Sequence, residues 1–591
     1  PLTRKSPSMH FILRYVLLAL IGLYPCAFQA QGFRVSFNGL PAVPDTASRT
    51  LYVHLPEHTD SSFHAVLSWE MPDTPTDDAE ALWNDSLVHN GTPVYVQHWR
   101  NGATFAVQEH TWQVAFTTLP LVSVAYPPDG LAGLYDKTEG TFTLIDSRQR
   151  TDAQSVFTTP CQVKYRGGTA RSFPKKSYTL SLLDEAGAER DATVLGIRAD
   201  DKWVLDAMAI DFLRMRNRVA FDVWNDMSPL RDADMLRNGS KGYYVEVIIN
   251  GCYNGLYCLS DKVNRKLLGL KKTQVESDNT VTLRGALYKC ISNGTNTSRM
   301  YFPIDDSQDY ASSEPEDMTW VQGTKWKDWE LAYPDDYAVH EAWLPLLRTI
   351  RFVEGVTEDP DSVDRHLADY FFVDNMVDYT VFLFALMCND NMMHNGYLSV
   401  KNMTKDDARI WMTPWDLDAS LGRDGFASEH FTDRAFSAFI LLETRPFRQL
   451  FDKQDSDFMQ RCAERWFALK DNLFAPDSIM QRIHRYASLL HDSGAWSRES
   501  ALWDGKIQVP GFPLVRLGDE LQKEIARVEE WYRGNHGYVD RIFCNATSIR
   551  TPTYQPFTSI YDVHGRAYPG DTRFEQLPRG IYIINGLKYV K

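Results

Sequence analysis

The apolar pattern of this chain changes period partway along, and that change limits the fold more than any other feature. Up to about Leu259 the apolar residues fall in short runs. They include Thr50-Leu51-Tyr52-Val53-His54-Leu55, Ala65-Val66-Leu67-Ser68-Trp69, Pro93-Val94-Tyr95-Val96, Thr141-Phe142-Thr143-Leu144-Ile145, Cys161-Gln162-Val163-Lys164-Tyr165 and Tyr178-Thr179-Leu180-Ser181-Leu182-Leu183. Clusters of Pro, Gly, Asp and Asn separate many of the runs, as between β-strands. Tyr243 to Ile249, then Asn250-Gly251, then a run to about Leu259 read as a hairpin, because Asn-Gly supplies the positive φ angles of a tight turn. A helix is predicted to start near Asp211 and to run through Arg214, Arg216, Val219, Ala220 and Val223. From about 338 to 387, and again from 434 to 545, apolar positions recur with helical spacing. Strands first and helices afterwards predict an α+β fold.

A chain of 591 residues is too long for one ordinary core, and domain sizes of about 100–200 residues predict two to four units. The expected division is 1–30 a signal peptide, 31–115 an N-terminal β-rich module, 116–550 the large unit and 551–591 a small β tail. Hydrophobic residues make up 44%, enough to bury large cores and too many for a disordered chain. The net charge of −15 argues against a nucleic-acid partner, since phosphate neutralisation needs a positive face.

Arg4, Lys5 and Arg14 precede an apolar run from Tyr15 to Leu23, and Pro25-Cys26-Ala27-Phe28-Gln29-Ala30 follows. A basic start, a short apolar core and a small residue at a cleavage point after Ala30 describe a signal peptide. The run is too short to span a bilayer comfortably, so no transmembrane anchor is expected in the mature chain. Tyr379 to Met387 is apolar but lies between Asp378 and Asp390, and reads as a buried helix end. Beyond Cys26 seven of the eight cysteines remain. Export permits disulfides, with Cys252 and Cys258 a pair that could meet across the hairpin, but most of the seven read as small core residues.

Phosphoryl transfer asks a protein for a carboxylate near the acceptor hydroxyl, oxygen ligands for Mg²⁺, and cations on the phosphates. Three stretches offer these. In Asn389-Asp390-Asn391-Met392-Met393-His394-Asn395-Gly396-Tyr397, Asp390 and Asn395 are separated by four residues, the spacing of a kinase catalytic loop. A polar turn capping a helix would look the same. In Ile410-Trp411-Met412-Thr413-Pro414-Trp415-Asp416-Leu417-Asp418-Ala419-Ser420-Leu421-Gly422 an apolar strand runs into two acids. Extended chain would point Asp416 and Asp418 to one side, and a divalent cation would relieve their repulsion. The bland alternative, exposed loop acids, fits poorly beside Trp411 and Trp415. In Lys164 to Tyr178 the residues Arg166, Arg171, Lys175 and Lys176 surround Gly167-Gly168, where a phosphate could be approached closely. This is not a Walker A loop, and a solvated cationic turn would also carry these residues.

Together these stretches resemble the CotH family, named for a spore-coat protein. The resembling motifs run in the family's order: Arg166 to Leu180; Leu195-Gly196 with Lys202-Trp203-Val204-Leu205 and Asp211 to Arg218; Val247 to Tyr257; Asn389 to Tyr397; and Thr413 to Gly422. The resemblance covers roughly 120–545 and implies an atypical protein-kinase-like domain with a β-rich N-lobe and a helical C-lobe, flanked by small β modules. It implies ATP and Mg²⁺ (Mn²⁺ as a substitute) as cofactors and partner proteins with Ser/Thr hydroxyls as substrates. It makes Asp390 the catalytic carboxylate, Asn395 and Asp416 metal ligands supported by Asp418, and Lys175 or Lys176 a phosphate contact. Arg216 and Asn217 stand at a family position where they could knit the lobes together, and Asp261 replaces a glutamate found in many members.

The tail from Ser559 to Arg566 and from Gly580 to Gly586 resembles C-terminal sorting tails of proteins exported by the type IX secretion system. That implies a secreted protein, or one on the outer surface of a Gram-negative bacterium. Two other readings stay open: a non-catalytic surface or adhesion protein with a CotH fold, and a carbohydrate-active enzyme using some of the 16 tryptophans. The second needs two carboxylates flanking a sugar cleft.

Overall fold

A computed structural model describes residues 33–71, 80–148, 155–227, 239–290, 324–326, 329–337, 339–355, 360–388, 390–391, 395–404, 408–424, 427, 447–453, 456–518, 520–546, 560–562, 567–568, 577–584 and 587–590. The leader expected in residues 1–30 lies outside them. The chain divides into two compact units. The first takes the residues up to Ala207 together with 242–261 and 488–504; the second takes 208–241, 262–487 and 505 onward.

The first unit opens with a β-sandwich. One sheet contains Arg34–Phe37, Leu40–Pro41, Phe63–Glu70 and Thr92–Val96; the other has six strands, with Thr50–His54 running parallel to its neighbour His110–Thr117. Strand alternation fills the space between the sheets. In Phe63–Glu70 the residues Ala65, Leu67 and Trp69 turn inward while His64, Val66 and Glu70 face out. Trp69, Trp83, Trp99 and Phe105 are buried in the resulting core.

The same unit then closes a seven-stranded barrel from Leu121–Ala125, Lys137–Ile145, Val156–Tyr165, Tyr178–Leu182, Lys202–Asp206, Gly242–Ile249 and Cys252–Asp261. Neighbours are antiparallel except at the closure, where Leu121–Ala125 runs parallel to Gly242–Ile249. The hairpin forms where Asn250-Gly251 predicts it, with φ of 50° and 73° at those two residues. Both Cys252 and Cys258 lie on its second strand, opposite Ile249 and Tyr244. They cannot meet across the hairpin, and Cys258 is a buried thiol outside any disulfide. Cys161, Cys290, Cys388 and Cys462 are likewise buried core residues outside any disulfide.

The helix Ala495–Trp503 belongs to this unit although it lies within the helical half of the sequence. Its Glu499 reaches into the barrel wall. Strand-then-helix order along the chain therefore does not divide the molecule into its compact units.

The second unit is built on a five-stranded sheet in the order Lys325–Trp326, Trp329–Tyr333, Ala286–Cys290, Gly396–Val400, Trp411–Pro414. The unit also contains the helices Arg216–Met227, His340–Gly355, Pro360–Tyr370, Val373–Leu386, Asp457–Leu469 and Glu520–Ala546, and the part of Pro476–Asp492 up to Ala487. The first of these starts five residues after the predicted Asp211. Asp211 serves as its cap: Oδ2 accepts from the Met215 and Arg216 amides at 2.7 and 2.8 Å, and Arg214 is left-handed with φ 59°. The apolar run ending at Met387 is a buried helix end, as its bounding acids predict.

Helices beside largely antiparallel sheets make this an α+β protein. In the tail, Ile560–Asp562, Ala567–Tyr568, Ile581–Ile584 and Leu587–Val590 form a four-stranded antiparallel sheet. Among the described residues no helix is long and apolar enough to cross a membrane.

Candidate active site

In the second unit the helix Val373–Leu386, buried at every position except Asp374, delivers the chain to the site. Met387 ends it in the left-handed conformation, its amide bonding back to Leu383 and Phe384. The chain then turns through Cys388, whose carbonyl accepts from the Asn391 amide at 3.1 Å. Asp390, on this turn, is half-buried. Its Oδ2 accepts from Asn395 Nδ2 at 2.8 Å, so the amide oxygen of Asn395 is left available as a donor atom for a cation.

Asn395 precedes the strand Gly396–Val400, which pairs with Trp411–Pro414 from Gly396 opposite Pro414 onward. That register sets Asn395 against Trp415, whose amide donates to the Asn395 carbonyl at 2.8 Å. Asp416 therefore sits one residue from the partner of Asn395. Two sequence-remote motifs are joined at the end of one hairpin.

The extended geometry expected for Asp416 and Asp418 is overturned. The strand stops at Pro414, and Asp416 is left-handed with φ 59°. The Leu417 amide is drawn to Asn217 Oδ1 at 3.1 Å, and Ser420 Oγ donates to the Leu417 carbonyl at 2.7 Å. The acids are thus presented from a tight loop and not from one face of a strand. Both are half-buried, in keeping with their tryptophan neighbours.

The loop has a buried scaffold that the spacing of the acids does not disclose. Arg216 Nε donates to the Ser420 carbonyl at 3.0 Å, and Nη1 and Nη2 pair with Asp211 and Glu524 at 2.6 and 2.7 Å. Arg423 closes on the other side of Glu524. Burial alone would raise the Glu524 carboxyl, but Arg216 and Arg423 outweigh it and hold it down at about 2. Arg216 and Asn217, read from the sequence as possible ties between lobes, make these contacts within one unit, to the loop carrying Asp416 and Asp418.

In the first unit the basic residues separate into different roles. Lys175 is fully buried: Nζ donates to Glu499 Oε1 and to the Leu256 carbonyl, both at 2.6 Å. Glu499 Oε2 accepts from the Leu256 amide at 2.8 Å. Gly255 is required beside it, because its φ is 95° and a Cβ there would collide with that carboxylate. This correction narrows the expectation for Lys175, whose ammonium is enclosed in the barrel wall.

Lys176 is half-buried and bonds the Arg171 carbonyl at 2.5 Å; burial lowers its pKa. Arg171 lies over the exposed Tyr135 ring at 4.6 Å, and Arg166 is half-buried at the start of the turn. Gly167, with φ 96°, makes the turn possible. Asp261 accepts from Arg198 Nε at 2.9 Å and so has an ion-pair role.

Among the described residues, the side chains at the hairpin end that could ligate a cation offer oxygen: the carboxylates of Asp390, Asp416 and Asp418 and the amide oxygen of Asn395. Such hard ligands suit Mg²⁺ or Mn²⁺ and not zinc. Asp390, Asp416 and Asp418 are not drawn into a closed trio. Among the described residues three acidic ligand atoms lie within 4.8 Å of one another only at Asp191, Asp200 and Asp201, where Arg198 and Lys202 balance the charge. An open arrangement still fits Mg²⁺, which takes one or two carboxylates from the protein and fills its shell with water and substrate phosphates.

A carboxylate–amide pair joined to an acid-bearing loop is the kind of site found in metal-assisted phosphotransferases. Over residues 163–539 the chain matches the family model described as CotH kinase protein, and it belongs to that family. The match starts in the barrel strand Val156–Tyr165 and ends inside the last long helix. No curated protein matches the chain.

Proposed function

We propose that this protein is an exported atypical kinase that transfers the γ-phosphoryl group of ATP to Ser/Thr hydroxyls of partner proteins. The observation that carries the reading is the union of Asp390, Asn395 and Asp416 at one hairpin end. Family membership supports it from the sequence side. Asp390 takes the proton of the acceptor hydroxyl as its oxygen bonds to phosphorus and the bond to the leaving ADP oxygen breaks. The Asn395 amide holds that carboxylate in one orientation.

Asn395 and Asp416 would hold Mg²⁺, with Asp418 in support. When bound, the cation neutralises charge on the phosphates. Lys176, Arg166 and Arg171 are the proposed phosphate contacts, while Lys175 keeps the turn in place from inside the barrel wall. Export rests on the leader pattern in residues 1–30, and outer-surface placement on the sorting-tail pattern of residues 559–586.

Radiolabelled ATP with Mg²⁺ or Mn²⁺ and a Ser-rich acceptor tests the reading. Wild-type protein is expected to label the acceptor, and Asp390→Ala and Asp416→Ala to lose the transfer while staying folded. Equal labelling by all three proteins would remove the kinase assignment.

A further inference from the structure

We propose that Asn391 is a positioning residue for the metal ligands: one side-chain amide holds Asn395 and Asp416 in the strained backbone conformations from which they present their oxygens. The inference rests on the phosphotransferase reading and adds to it a residue that does not itself bind the cation.

Asn391 is completely buried. Its Nδ2 donates to the Trp415 carbonyl at 2.6 Å, to the Asn395 carbonyl at 3.0 Å and, more weakly, to the Asp416 carbonyl at 3.4 Å. Three carbonyls around one group dictate the amide's orientation, since an oxygen there would face only acceptors. Its own backbone is held as firmly. Its amide reaches Cys388, and its carbonyl accepts from the buried Tyr379 hydroxyl.

Two of the three residues it touches have left-handed backbones. Asn395 and Asp416 have φ of 48° and 59°. Asn and Asp enter the left-handed region more readily than other residues with a Cβ, but less readily than glycine, so both conformations still need support from their surroundings. Such conformations persist only where the surroundings over-determine them. Here the carbonyls of both strained residues, and of Trp415 between them in space, converge on the Asn391 amide. Without it, both loops are free to relax to ordinary φ angles, which swings the Asn395 and Asp416 side chains away from their present directions. The carboxylates and the amide oxygen would remain in the protein, but no longer aimed together.

A matched control exists in the same unit. Asn535 is also completely buried, and its Nδ2 donates to the Phe384 and Ala385 carbonyls at 3.3 and 2.9 Å. Among the described residues, the buried Oδ1 atoms of both asparagines have no hydrogen-bond partner. Removing either amide therefore costs the same kind of contact, yet only Asn391 touches Asn395 and Asp416.

The test is Mn²⁺ affinity, read by electron paramagnetic resonance without nucleotide, on full-length wild type, Asn391→Ala, Asn391→Ser and Asn535→Ala. Circular dichroism checks each fold. Loss of a group that orients metal ligands typically weakens binding about 10- to 100-fold. Asn391→Ala is expected to fall in that range and Asn535→Ala to match wild type. Asn391→Ser keeps one hydroxyl donor and is expected to lie between; it also serves if the alanine variant does not fold. Wild-type affinity in the Asn391 variants, or an equal loss in the Asn535 variant, overturns the positioning role alone. Absence of Mn²⁺ binding by wild type, both alone and with a non-hydrolysable ATP analogue, overturns the phosphotransferase reading and this inference with it.

Discussion

The side-chain amide of Asn395 donates to the Asp390 carboxylate at 2.8 Å, bridging four intervening residues of chain. One hydrogen bond thus orients the proposed base and turns the amide oxygen of Asn395 the other way. Asn395→Ala removes both effects. It is expected to lower kcat and weaken Mn²⁺ binding together, by about 10- to 100-fold in affinity. Asn395→Asp keeps a ligand oxygen but sets two carboxylates side by side, so one of them binds a proton more readily. Its Mn²⁺ affinity should fall more steeply than that of wild type as pH drops from 7 to 5, which a titration at several pH values measures.

Glu524 joins Arg216 and Arg423 beneath the loop of Asp416 and Asp418. Glu524→Ala leaves two buried guanidinium groups without that carboxylate and is expected to destabilise the protein by about 3–5 kcal/mol. The carboxyl is held at about 2, below its ordinary value of 4.5. Its contribution is therefore present above about pH 4.5 and is lost as pH falls towards 2. Chemical denaturation of wild type and variant at pH 7 and pH 3 checks both the size and the direction.

Lys175 and Glu499 form an ion pair with both side chains fully buried. Lys175→Met strands the carboxylate in the barrel wall, at a cost of about 3–5 kcal/mol. Adding Glu499→Gln removes the stranded charge, and the double variant should regain most of the loss. Urea unfolding followed by tryptophan fluorescence reads all four members of the cycle. Additive losses would show that the pair is not coupled.

His54 is buried as the neutral ring: Nδ1–H donates to the Leu119 carbonyl at 2.9 Å, and Nε2 accepts from the Ser147 amide at 2.8 Å. Burial lowers its pKa to about 4 from the usual 6.5, against the opposing pull of Asp146. The unfolded chain thus binds the proton first. Stability is full above about pH 6.5 and is lost as pH falls towards 4, by about 3 kcal/mol in all. His54→Gln should flatten the pH dependence between 6.5 and 4, which thermal unfolding across that range tests.

Much of the local structure was legible in the residues. Asn250-Gly251 gave its turn away because few other pairs accept two positive φ angles. The acids at Asp378 and Asp390 marked a run too short for a membrane and long enough for a buried helix. The spacing of Asp390 and Asn395 pointed to a pair that does bond. The start of Arg216–Met227 was misread because Asp211 looks like a helix residue by periodicity and is in fact its cap. The loop at Asp416 was misread because an apolar strand seems to continue through it; Asn217, about 200 residues earlier, draws the Leu417 amide out of line. No local pattern announces such a partner.

Sequence alone was enough to establish the α+β class, the order of strands and helices, the family motifs and the residue types able to serve phosphoryl transfer. These depend on periodicity and on chemistry carried by neighbouring residues. Only the tertiary structure decided which polar groups face one another: Lys175 with Glu499, Arg216 with Glu524, Asn391 with the carbonyls of Asn395, Trp415 and Asp416. A buried charge or amide requires a partner, but any of many residues can supply one, and distance along the chain does not say which.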